Sequence, residues 1–167
     1  MLAAAELSWL LSPRPMRLVA LIVLLAAALA PPAAAQSLPA AARAYLGDWT
    51  TYNDAGTEAQ SVVRITEAGG VLRGRIVRIL PTAQYPTPQF RCDDCVGAYR
   101  GQDLRTVPLI EGMAWQGDEF AGGRITDPTN GKSYRGVLKL ESPDRLRVRG
   151  FIGVRALGRT QVWRRAR

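Results

Sequence analysis

The sequence of 167 residues contains no histidine, two cysteines and only two lysines among its 22 basic residues. The lack of histidine excludes the Ser-His-Asp and Cys-His catalytic arrangements and any histidine-bound metal ion. No glycine-rich phosphate loop occurs, and no pair of carboxylates stands beside a nucleophile, so we predict no catalytic residues, no metal site and no cofactor. The composition therefore favours a binding or structural protein over an enzyme.

Long apolar runs are also scarce, since the only one covers residues 18–30 and is shorter than a membrane-spanning helix requires. Arg17 precedes it, and three alanines at positions 33–35 fit an A-x-A cleavage site. We therefore predict that residues 1–35 are a signal peptide, cleaved between Ala35 and Gln36. A true start at Met16 and an uncleaved N-terminal anchor are the alternatives. Because no second such run follows, we predict no transmembrane span in the mature chain.

The predicted signal is rich in alanine and has no organelle features, which indicates bacterial export and a periplasmic protein. The periplasm is oxidising, and exported proteins rarely meet nucleic acid. We therefore attribute the net charge of +8 to arginines on solvated strand faces and predict no nucleic-acid partner. A basic face is also suited to contact with anionic lipid headgroups or envelope polymers.

Beyond the signal, we predict an N-terminal segment at residues 36–44 and a single domain at residues 45–167. One helical turn is predicted within residues 39–45, and the rest of the pattern indicates strands separated by turn residues. The predicted strands are 46–52, 59–67, 71–80, 109–116, 119–126, 132–140, 145–152 and 159–165. An irregular stretch, 81–108, contains both cysteines. Asn130-Gly131 predicts a tight hairpin with two positive φ angles.

Eight short strands without a long amphipathic helix leave two architectures, a sandwich or a closed up-and-down barrel. The sixth and seventh strands alternate, so that Leu138 and Leu140 share a face with Leu146 and Val148, opposite a face of basic side chains. Glycines within several strands indicate bends and bulges, which small barrels need at their corners. They lie at positions 74, 122, 123, 136, 150 and 153.

Two groups of motifs carry a resemblance to known families. Gly47-Asp48-Trp49 on the first strand and RTQVWRR at 159–165 on the last resemble the calycin pattern of lipocalins and streptavidin-like barrels. GGRITDP at 122–128, GKSY at 131–134, RGFIG at 149–153 and GRTQVW at 158–163 look like the exported bacterial family called domain of unknown function 2147. The resemblance implies an all-β fold: a single eight-stranded antiparallel up-and-down barrel, lipocalin-like. It also implies that Trp49 lies across one barrel end under the guanidinium of Arg159.

The candidate ligand-binding residues are aromatic side chains and arginines suited to stacking or to binding an anionic group. Gly47, Trp49, Arg159 and Trp163 are alternatively structural residues at a barrel end. The stretch around 85–99 is a candidate lid, because ligand sites in small barrels lie at the mouth. The ligand-binding candidates are Trp49, Arg75, Tyr99, Trp115, Tyr134, Arg149 and Trp163.

Cys92-Asp93-Asp94-Cys95 is a CxxC motif. We predict a structural disulfide between Cys92 and Cys95, because an exported chain with two cysteines meets an oxidising environment. A redox pair and half of a zinc site are the alternatives. The two aspartates argue against a redox pair, because they raise the thiol pKa. The lack of a second pair of cysteines argues against a zinc site.

Two functions follow from these observations. The first is an exported barrel that binds a small lipophilic or amphipathic molecule. The second is a cell-envelope structural or interaction protein whose barrel is filled by its own side chains, as eight strands permit. Cavity volume separates them, since ligand pockets commonly measure ~300–1,000 Å³.

Overall fold

The computed structural model describes residues 38–167. The predicted signal peptide, the cleavage site at Ala35–Gln36 and the start of the N-terminal segment lie outside the described residues. No helix within residues 38–167 combines the length and the apolar character that crossing a bilayer demands.

The described residues form a closed barrel of eight antiparallel strands in sequence order, and β1 pairs with β8 to close it. This confirms the predicted up-and-down barrel and excludes the sandwich. Each predicted strand end lies within two residues of the observed one. The elements are α1 (Ala40–Arg43), β1 (Gly47–Tyr52), β2 (Ala59–Ala68), β3 (Val71–Ile79), β4 (Pro108–Trp115), β5 (Phe120–Thr126), β6 (Ser133–Ser142), β7 (Arg145–Phe151) and β8 (Arg159–Arg165).

The alternation of side chains fixes which strand face points into the barrel. Leu138 on β6 pairs with Val148 on β7, and both are buried, whereas their neighbours Lys139 and Arg147 pair on the outer face. A shift of one residue would exchange these two sets, so the register is strongly determined. The predicted alternation is therefore confirmed.

The β5–β6 pair contains a bulge between Ala121 and Arg124, where β5 has Gly122 and Gly123. Gly122 has a φ of 82°, a conformation that other residues rarely adopt. A Cβ on Gly123 would lie 2.2 Å from the carbonyl oxygen of Glu111 on β4. These glycines allow the sheet to curve tightly enough to close.

The turn between β5 and β6 differs from the predicted two-residue hairpin. Gly131 has a φ of 71°, but Asn130 does not have a positive φ. Asp127 donates its N–H to the carbonyl of Lys132 and accepts the N–H of Gly131, so the loop holds four residues. Asp127 also accepts the N–H of Thr129 on its side chain, which stabilises the longer loop.

Candidate ligand-binding cavity

One end of the barrel is closed by α1 and the residues that follow it. Leu38, Ala42 and Tyr45 are buried against the barrel core. The Tyr45 hydroxyl donates to the carbonyl of Asp118 and accepts the N–H of Leu140, each at 3.1 Å. Burial raises the pKa of this phenol. The short helix is thus attached to two hairpins at the closed end.

Trp49 and Arg165 form the centre of the closed end. The indole of Trp49 is fully buried and donates its N–H to the carbonyl of Tyr45 at 2.9 Å. The Arg165 guanidinium lies 3.8 Å from the Trp49 ring centroid and donates to the carbonyls of Leu46 and Ala44. Burial lowers the pKa of this guanidinium, which stays charged at neutral pH. It therefore joins β8 to the entry of β1.

The prediction that Arg159 covers Trp49 is wrong, because Arg165 does so. Residue 49 pairs with residue 165 where β1 and β8 meet. Arg159 lies at the start of β8, and six residues of strand, roughly 20 Å, separate it from Arg165. Both arginines belong to the same face of β8, but Arg159 lies at the opposite end of the strand.

Large side chains fill the closed half of the barrel. Tyr45, Trp115 and Phe120 contact one another with ring centroids 5.0–5.7 Å apart. Leu138 and Leu146 are fully buried beside them. This half matches the side-chain-filled alternative and leaves no room for a ligand.

The open half encloses a cavity of about 680 Å³. It is lined by inward-facing strand residues and by the loops that follow β1, β3, β5 and β7. The deeper walls are apolar, namely Ile76, Ile79, Leu104, Leu109, Ile125, Val148 and Trp163.

The polar atoms deep in this cavity are uncharged and already paired. The hydroxyls of Thr51 and Ser61 hydrogen-bond to each other at 2.8 Å. The Trp163 N–H donates to the side-chain oxygen of Gln161 at 3.2 Å. An apolar molecule can therefore enter without leaving a buried polar group unpaired.

Arg159 lies at the rim of the cavity, between two acidic side chains. Its guanidinium pairs with Asp54 and lies 3.5 Å from a carboxylate oxygen of Asp127. The hydrogen bond from Arg159 lowers the pKa of Asp54. The pairs hold the β1–β2 loop, the β5–β6 loop and the start of β8 together around the opening.

The long β3–β4 connection lies over the open end, as the candidate lid predicts. Cys92 and Cys95 form the predicted disulfide, with their Cα atoms 5.2 Å apart. The next residue, Val96, donates its N–H to the carbonyl of Asn130 at 3.0 Å, and Cys95 packs against the Cα of Gly131. The CxxC segment therefore anchors this connection to the β5–β6 loop.

Comparisons with known proteins agree with this architecture. The family model described as "Uncharacterized protein conserved in bacteria (DUF2147)" matches residues 47–165. The chain belongs to the DUF2147 family. A solved structure titled "Protein HP1028 from the human pathogen Helicobacter pylori belongs to the lipocalin family" is similar, with a TM-score of 0.61 and 16% identity. The match covers 73% of this chain and 82% of that one, and it shows a shared fold. A search of curated proteins found no match.

The structure of this DUF2147 protein divides the seven ligand-binding candidates into three groups. Tyr134 and Trp163 line the cavity. Trp49 and Trp115 lie at the closed end, where they are part of the core packing. Arg75, Arg149 and Tyr99 lie outside the cavity lining.

Arg75 and Arg149 lie outside the lining because of the strand faces that they occupy. Arg75 lies on the outer, exposed face of β3, between inward-facing Gly74 and Ile76. Arg149 is also on an outer face, where it donates to the carbonyls of Arg155 and Ala156. Strand alternation therefore turns both guanidiniums away from a ligand in the barrel.

The sequence analysis missed several lining residues of this DUF2147 barrel. Thr51 is two residues after Trp49 and must share its inward face, and Ser61 is its partner on β2. Gln161 precedes Trp163 by two residues and shares its face for the same reason. Strand alternation could have identified all three. Among residues 38–167, no three acidic or cysteine side chains converge in a way that could hold a metal ion.

Proposed function

We propose that this protein is exported to the periplasm and binds a small lipophilic or amphipathic molecule in the open half of the barrel. The cavity of about 680 Å³ carries the proposal, because it lies within the ~300–1,000 Å³ common for ligand pockets. Its apolar walls suit an apolar body, and its opening is surrounded by polar groups. Binding and release need no chemical step, so the proposed role is not enzymatic.

The lipocalin-like fold supports this proposal at the level of architecture alone. The alternative, a barrel filled by side chains, describes only the closed half. A protein whose surface did all the work would have no need of a hollow half, since eight strands can be filled completely.

Export is tested by N-terminal sequencing of the protein recovered from the periplasm of its own host. Cleavage after Ala35 predicts that the chain begins at Gln36. A full-length chain in the membrane fraction would contradict export with cleavage and support the N-terminal anchor.

Filling the cavity is expected to weaken binding. Gly150 lines the cavity, and a Cβ there would meet only Tyr134, at 3.4 Å, so Gly150→Leu adds volume without a backbone clash. We expect Gly150→Leu to weaken binding of the neutral fluorescent probe N-phenyl-1-naphthylamine by roughly tenfold or more, equivalent to at least about 1.4 kcal/mol. The measurement is a fluorescence titration, and native mass spectrometry of the periplasmic protein would reveal a retained natural ligand.

Arg75→Leu is the matched control, because it adds the same side chain on the outer face of β3. It should bind the probe as the unaltered protein does. Equal binding by both variants would place the probe outside the barrel and contradict the proposal.

A further inference from the structure

The charge around the cavity is opposite in sign to that of the whole chain. The chain has a formal net charge of +8, but carboxylates outnumber guanidiniums among the cavity-lining residues by four to two. The acidic ones are Glu58, Asp93, Asp94 and Asp127, and the basic ones are Arg91 and Arg159. A cavity mouth with an acidic excess attracts cations and repels anions.

Both lining guanidiniums already face carboxylates. Arg159 pairs with Asp54, which lies just outside the lining, and with Asp127. Arg91 lies 3.4 Å from a carboxylate oxygen of Asp93. An incoming carboxylate or phosphate would have to displace these acidic partners, and no lysine is among the lining residues described.

Two other lining carboxylates are better placed to meet a cation. Glu58 uses one oxygen to accept the N–H of Ala83, at 2.6 Å, and the same group still presents negative charge to the opening. Asp94 is exposed beside the disulfide and has no ion-pair partner among residues 38–167. Tyr85 and Tyr134 line the same cavity, and aromatic faces attract ammonium groups, quaternary ones included.

We propose that the preferred ligand is a cationic amphiphile, whose ammonium group lies at the acidic mouth and whose apolar body lies against the inner walls. This inference rests on the proposed function, since it names the ligand class of the same cavity. The uncharged inner lining gives the apolar body a matching environment. The two arginines of the described lining already pair with carboxylates, so neither is free to bind the carboxylate of a fatty acid.

Three ligands with the same decyl chain test the preference. Decyltrimethylammonium, decan-1-ol and decanoate compete with N-phenyl-1-naphthylamine for the purified protein, below their critical micelle concentrations. We expect the cation to displace the probe at the lowest concentration and decanoate at the highest, with about a tenfold gap or more at low ionic strength that narrows with added salt. If decanoate or decanol competes equally well or better, the cationic preference is wrong but the cavity still binds. If the probe itself does not bind, the proposed function fails and the inference with it.

The double variant Glu58→Gln/Asp94→Asn removes two negative charges and keeps the shapes of the side chains. It should weaken decyltrimethylammonium binding by roughly three- to tenfold, as expected for partly solvated charges, and leave decanol unchanged. The matched control is Asp144→Asn, because Asp144 lies in the β6–β7 turn at the closed end. It should change neither the affinity for decyltrimethylammonium nor the affinity for decanol. An unchanged affinity of the double variant for the cation would overturn the acidic mouth as the cause.

Discussion

Replacing Trp49 with alanine is expected to lower the free energy of unfolding by about 3–5 kcal/mol, the usual cost of deleting a buried aromatic side chain. The Trp49 ring has no exposed surface, and it fills the closed end under Arg165. Its removal leaves a void and deprives the carbonyl of Tyr45 of its indole donor. Since single domains are stable by about 5–15 kcal/mol, this loss is a large share of the total stability. Urea unfolding followed by far-UV circular dichroism measures the change.

A double-mutant cycle shows whether the contact with Arg165 contributes. Trp49→Leu removes the aromatic ring but keeps part of its apolar volume, and it is combined with Arg165→Ala. A guanidinium over an indole gains about 0.5–2 kcal/mol depending on burial, so the two substitutions should not be additive. Arg159→Ala is the matched control, because Arg159 is on the same strand face at the opposite end, and it should be additive with Trp49→Leu. Additivity for Arg165 and coupling for Arg159 would contradict the observed register.

The position of Arg165 shows how much of the closed end could be predicted from the sequence. The G-x-W motif correctly marked a barrel end, and the last strand does carry the arginine that covers Trp49. The end of β8 that meets Trp49 follows from strand direction: in an up-and-down barrel with an even number of strands, the last strand runs antiparallel to the first. The end of β8, at Arg165, therefore meets the beginning of β1, near Gly47. Gly47 has a φ of 108°, and a Cβ there would lie 3.4 Å from the Arg165 guanidinium, which explains the glycine of the motif.

The presence of a cavity cannot be predicted from the alternation of inward-facing and outward-facing residues. Strand patterns say which residues face inward, but not whether their summed volume fills the barrel. Here the large rings of Trp49, Trp115 and Phe120 gather in one half, while Thr51 and Gly150 face the other. Irregular contacts, such as the one from Val96 to Asn130, hold the β3–β4 connection over the mouth, and no repeat in the sequence predicts them.

Asp127 was a candidate partner of Arg159 at a barrel end, and the structure confirms that pair, but the pairing with Asp54 was beyond sequence reasoning. Asp54 and Arg159 are 105 residues apart and meet only because the barrel closes. The sequence analysis considered Arg159 as a partner for the ring of Trp49, and its pairing with Asp54 depends on how the β1–β2 turn places that carboxylate. The proposed preference for a cationic ligand rests on this pairing and on the carboxylate excess of the lining, neither of which the strongly basic composition indicates.

Gly123→Ala is expected to have the second large effect, because its cost comes from backbone atoms that cannot move aside. The new Cβ would lie 2.2 Å from the Glu111 carbonyl oxygen and 2.6 Å from the Met113 nitrogen, so β4 and β5 would have to separate. Overpacking usually costs about 1–3 kcal/mol, and a clash between backbones belongs at or above the upper limit of that range. Chemical unfolding monitored by circular dichroism gives the loss directly.

Alanine variants of two other glycines show whether the loss at Gly123 comes from the backbone clash or from a general intolerance of alanine in the barrel. Gly136→Ala would meet the terminal methyl of Met113 at 2.0 Å and Cγ1 of Ile125 at 2.8 Å. Both are side chains, which can shift more readily than a backbone, so a smaller loss than at Gly123 is expected. Gly150→Ala makes only an ordinary contact with Tyr134, at 3.4 Å, and should leave stability unchanged or raise it by about 0.4–1 kcal/mol through the reduced entropy of the unfolded chain. The order of losses should therefore be Gly123, then Gly136, then Gly150. If Gly123→Ala proved as stable as Gly150→Ala, the close approach of β4 and β5 at the bulge would be wrong, and with it the curvature that closes the barrel.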